Sequence, residues 1–116
     1  MTQRNHYYLS MADLAQARGS DAALSWDGAG PADLAAALQE ALRSHTLFER
    51  WRAKQPDPDA VDQALGAIDA QAEVQARVVD LHVDIDVLTS LPMSLLRQRL
   101  NWLAGTAWQL RDVRPA

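Results

Sequence analysis

The stretch Val79-Asp80-Leu81-His82-Val83-Asp84-Ile85-Asp86-Val87 alternates apolar and polar side chains without a break. A pleated strand sends successive side chains to opposite faces, so this pattern predicts a strand with one buried and one wet face. Upstream, Val74, Ala76 and Val78 alternate with the opposite parity. One extra residue flips the faces, so a β-bulge near Val78 and Val79 would reconcile the halves as one long strand. That strand would run roughly two to three times the ~5–6 residue average. It would then need long neighbours, or a partner chain along its edge.

Downstream, Thr89-Ser90-Leu91-Pro92 reads as a helix start, with Leu96, Leu100 and Leu103 inward and Gly105 as the stop. Thr106 to Val113 reads as a last strand, with Trp108 and Leu110 on one face. Strand, helix, strand in that order suggests a βαβ unit or its split version.

Upstream lies the strongest helical pattern in the chain. Gly30 precedes Pro31, a residue suited to the first helical position because its missing N–H would be unsatisfied there anyway. Leu34, Leu38, Ala41, Leu42, His45 and Phe48 then fall on one stripe, with Gln39, Arg43 and Arg50 opposite. This helix is expected to reach Lys54, before Pro56 and Pro58. A shorter helix is read over Val61, Leu65 and Ile68 after an Asp57 or Asp59 cap. Another short helix is read from Ser10-Met11-Ala12-Asp13 to Gly19, then a strand over Ala22 to Trp26. Residues 1–8 are read as a flexible tail. The expected architecture is α+β: one domain over residues 1–116, with three to four helices packed on a small mixed or antiparallel sheet and a single layer of strands.

Composition narrows the function classes. The chain has 116 residues, 48% apolar and 22% charged, close to the globular average. It has no cysteine, which excludes a disulfide framework, a thiolate zinc site and a cysteine nucleophile. Nothing apolar follows Arg4 as a signal peptide would require, and no apolar run approaches the ~20 residues needed to cross a bilayer. Lys54 is the only lysine beside ten arginines, and alanine is abundant. The expectation is a soluble, cytoplasmic, bacterial protein with no membrane partner.

The net charge of −4 is segregated. Eight acids and only Arg77 lie between Asp57 and Asp86, whereas Arg97, Arg99, Arg111 and Arg114 face Asp112 alone near the C-terminus. A further basic cluster is Arg43, Arg50, Arg52 and Lys54. Nucleic acid is disfavoured as a partner, because the acidic middle and a pI of about 5.2 oppose a phosphate backbone.

The candidate metal ligands are Asp80, His82 and Asp84. Alternate residues on one strand face lie ~7 Å apart, a span two ligands of one ion can bridge. Oxygen with imidazole suits zinc, manganese or ferrous iron. Asp84-Ile85-Asp86-Val87-Leu88 also resembles the Asp-x-Asp strand of nucleotidyltransferases. That family carries a Gly-Ser loop upstream, where this chain has Val74 to Val79 with neither residue, so the resemblance is set aside. The turn Trp26-Asp27-Gly28-Ala29-Gly30-Pro31 matches neither phosphate-binding fingerprint and is read as turn and cap. No nucleophile, base and orienting group can be assembled.

The candidate interaction residues are Trp51 and Trp102 with Arg50 and Arg97, since aromatics beside arginine are enriched at protein interfaces. The function expected is a non-catalytic protein-interaction or regulatory module that self-associates, a homodimer or a complex with another protein, without cofactor. The alternative is a small metal-binding protein or metal-dependent enzyme using the face of strand 79–88.

Overall fold

The computed structural model describes residues 3–116. Strand β1 (Asn5–Met11) is followed by helices α1 (Pro31–Arg43) and α2 (Thr46–Ala53), then β2 (Glu73–Val79), β3 (His82–Thr89), α3 (Met93–Ala104) and β4 (Trp108–Pro115). The strands form one sheet in the order β2-β3-β1-β4, every neighbouring pair antiparallel. β3 and β4 are therefore parallel with β1 between them, so the βαβ reading holds in its split version. β1 and β2 are likewise parallel around β3. Among the described residues this is a β-α-β-β-α-β arrangement of the ferredoxin-like kind, with three α-helices and a single antiparallel sheet, an α+β fold.

Alternation decides which face is covered. Tyr7, Leu9 and Met11 of β1, Val83, Ile85 and Val87 of β3 and Val74 of β2 are all buried. They meet Leu34, Leu38 and Leu42 of α1 and Leu96, Leu100 and Leu103 of α3 in one core. Among the described residues, the opposite face of the sheet carries no helix.

The strongest pattern in the sequence resolves differently from its first reading. There is no bulge near Val79. Val79 pairs with His82 across a two-residue turn of Asp80 and Leu81, and Asp80 has φ of 55°. A tight hairpin favours positive φ at its first turn position, which asparagine and aspartate tolerate best among non-glycine residues. The change of parity marks the turn between two antiparallel strands, which keeps Val74, Ala76, Val83 and Ile85 on one face.

Five further expectations are corrected. Residues 5–8, read as tail, are part of β1, the strand between β3 and β4; Met1 and Thr2 lie outside the described residues. Ser10 belongs to that strand, and Asp13 instead caps a single 3-10 turn by accepting the Ala15 N–H at 3.0 Å. The helix read from Pro31 to Lys54 is two helices. Ser44 is extended (φ −135°, ψ 164°) and its hydroxyl bonds the Glu40 carbonyl, the competition by which serine ends helices. His45 is consequently exposed at the break rather than central to an apolar stripe. Val61 to Ile68 holds a 3-10 turn rather than an α-helix (Gln63–Gly66), while Ala22 to Trp26 is a turn rather than a strand.

α3 stops as its sequence predicts. Gly105 has φ of 72°, and a Cβ there would sit 2.6 Å from the Arg18 carbonyl oxygen, so glycine is required on two counts.

Candidate functional site

The helix-free face of the sheet concentrates the polar chemistry. β1 sends His6, Tyr8 and Ser10 to that face, and β3 adds His82, Asp84 and Asp86 beside them. His6 Nε2 lies 2.9 Å from an Asp86 oxygen, and the imidazole stacks on Tyr8 with centroids 4.0 Å apart. Arg77 of β2 approaches the other Asp86 oxygen at 3.8 Å. His82 Nε2 lies 3.0 Å from Asp84. The face is thus a set of imidazole–carboxylate and arginine–carboxylate pairs with an aromatic pair among them.

Beside this face runs β4, and its geometry is unusual. Leu9 faces Leu110 while Tyr8 faces Asp112, so Arg111 is an extra residue. In such a bulge two adjacent side chains share one side of the strand. Arg111 turns to the open face, where its Nε donates to Ser10 Oγ at 2.9 Å. Arg114 lies over Tyr8 at 5.7 Å and donates to Asp112 at 2.8 Å. That bond, then the Val113 N–H, holds the Asp112 carboxyl below the usual carboxylate range against a small opposing effect of burial. The helix-side residues Leu110 and Val113 are 39% and 42% exposed, next to Leu9 and Tyr7 at 2% each.

A cleft of about 590 Å³ opens where the face meets the end of α3, lined by Ser10, Asp13, Gln16, His82, Thr106 and Arg111 among others. The terminal nitrogens of Arg111, on its border, make no ion pair among the described residues.

The expected metal ligands separate. His82 and Asp84 share a face, as alternation predicts, but Asp80 lies in the hairpin turn, outside the β3 alternation. Among the described residues no group of three or more His, Asp and Glu side chains is placed to hold a metal ion.

Of the expected interaction residues, the structure brings the two tryptophans together. Trp51 and Trp102 stack on each other, 4.9 Å between centroids, and join α2 to α3 as a half-buried pair. Arg50 and Arg97 are exposed.

Two features were missed. His6 and Tyr8 fall within the expected tail, although Tyr7, Leu9 and Met11 alternate with His6, Tyr8 and Ser10 and so carry the strand signal. Arg99 is fully buried between Phe48 and Trp102. One terminal nitrogen donates to the Ala67 carbonyl at 2.9 Å and the other to Gln98, while Nε has no partner among the described residues. Burial pulls its guanidinium below the ordinary value. Its spacing with Leu96, Leu100 and Leu103 on the inward stripe was the available signal.

Among the described residues no helix is long and apolar enough to cross a membrane. Comparison with family models, with curated proteins and with solved structures finds no match.

Proposed function

We propose that this chain is a non-catalytic interaction module of the bacterial cytoplasm whose first partner is a second copy of itself. One observation supports the reading above others: β4 flanks the sheet with Leu110 and Val113 two-fifths exposed on the helix side. Apolar side chains beside an unpaired strand edge invite either a partner or aggregation, and proteins manage such edges explicitly. The expected measurement is a concentration series by sedimentation and native mass spectrometry, with dimers growing at the expense of monomers. Monomers at every concentration would remove self-association from the reading.

A second reading, metal binding, is favoured by the adjacency of His82 and Asp84 on one face. It requires further ligands from water or a partner. The same spectra, taken on protein purified without chelator, test it: a metal at whole-number stoichiometry that Asp84→Ala abolishes supports it, and metal-free protein opposes it.

A further inference from the structure

We propose that two copies pair along β4 in one register, Leu110 against Val113 of the second copy and Arg111 against Asp112. This rests on the self-association reading and names the surface that carries it.

The bulge is what selects the register. In an uninterrupted strand, alternate residues share a face. In β4 the extra residue makes Trp108, Leu110, Val113 and Pro115 share the helix side, while Gln109, Arg111, Asp112 and Arg114 share the open side. The pattern is symmetric about the bond between Arg111 and Asp112. A second copy turned by a two-fold axis through that point places Trp108 opposite Pro115, Gln109 opposite Arg114, Leu110 opposite Val113 and Arg111 opposite Asp112. Every apolar residue then meets an apolar one, and each Arg111 meets a carboxylate. Directly opposed side chains have Cβ atoms ~4.5–5.5 Å apart, close enough for both contacts.

The same features explain why the edge is selective. A regular strand laid along β4 would match faces on one side of the bulge and mismatch them on the other. Bulges, edge charges and a proline are devices that discourage indiscriminate pairing. A second copy carries the interruption where it is needed, in a self-complementary isologous contact. Charge complementarity at Arg111 and Asp112 therefore favours the chain itself as occupant over an unrelated strand.

The test exploits the absence of cysteine from the chain. Under mild oxidation the double variant Leu110→Cys/Val113→Cys is expected to form covalent dimers. Either single variant should link far less, because like positions lie about three residues, ~10 Å, apart along the strand. In parallel, Arg111→Asp should weaken the dimer at least about tenfold, and Arg111→Asp/Asp112→Arg should recover most of that loss. Circular dichroism of each variant confirms folding. Single variants that link as well as the double overturn the register. A wild-type dimer that neither links through the double variant nor responds to Arg111→Asp overturns the β4 edge while leaving self-association standing. A wild-type chain that stays monomeric overturns both.

Discussion

The two edges of one sheet are treated in opposite ways. At β2, the Val74 N–H donates to the Gln39 side chain of α1 at 3.0 Å, and Arg43 of the same helix bonds the Ala72 carbonyl just before the strand. Val74 is 7% exposed. At β4, residues 109–115 are exposed throughout, and among the described residues the side-chain hydrogen bond to α3 is that of Trp108 Nε1 to Asn101 at 3.0 Å. Topology makes the two strand–helix–strand halves equivalents, but their helices spend their side chains differently. α1 reaches over its edge with Gln39 and Arg43. α3 directs Arg99 to Ala67 and Trp102 to Trp51, away from β4. A closed edge serves stability, and an open one leaves a surface for association.

The contrast breaks most visibly if the centre of the sheet and the β4 edge tolerate truncation alike. Ile85 is 1% exposed in the middle of β3, so Ile85→Ala should cost about 3 kcal/mol, the cavity-creating range. Urea denaturation of dilute protein measures it. Asp69, which precedes β2, should follow at about 2 kcal/mol for Asp69→Asn. Burial alone would raise its carboxyl, but N–H donors of Ser90 and Gln71 and the Thr89 hydroxyl, with Arg4 nearby, hold it below the usual carboxylate range. Its folded pKa lies below the unfolded value of ~3.9, so this stability is present above that value and is lost as pH falls through the folded one. The difference between wild type and Asp69→Asn should therefore shrink as denaturation is repeated below pH 4. A difference that grows toward acid would reverse the sign.

How far the residues alone reach depends on which contacts decide each element. β3, α3 and β4 were readable because their signal is local: Val83-Asp84-Ile85-Asp86 alternates, Leu96 and Leu100 repeat at helical spacing, and Gly105 punctuates. β1 carried the same alternation, but Ser10 and Asp13 also formed a plausible cap, and only pairing with β3 and β4 decides between them. A hairpin and a bulge both flip the parity of the alternation, so the pattern alone does not tell them apart; the chain reversal at Asp80 is a conformational fact invisible in periodicity. At the open face, His82 and Asp84 were found together because they share a strand. His6 beside Asp86 and Arg111 beside Ser10 join residues far apart in the chain, so no spacing could announce them.

Closure of the β2 edge gives the next prediction. Gln39→Ala removes the acceptor for the Val74 N–H and should cost about 1 kcal/mol. Hydrogen exchange should speed up at Val74 more than at Val87 opposite it. If Val74 exchange is unchanged, Gln39 does not close that edge and the contrast between the strands weakens.

The smallest expected effect on the single chain sharpens the comparison most. Leu110→Thr keeps a residue that suits strands and removes an apolar group that already meets water over 39% of its surface. In dilute solution the change should cost less than ~1 kcal/mol, well below the loss for Ile85. If two copies pair along β4 as proposed, the same substitution should shift the midpoint of association to higher protein concentration. The two readouts separate what a core measurement would merge: Ile85 reports on how the chain holds itself, and Leu110 on the proposed contact with a second copy. A loss as large as that of Ile85→Ala in the monomer would mean that β4 belongs to the core after all. A small loss with no effect on association would leave the exposed Leu110 without a partner to explain it.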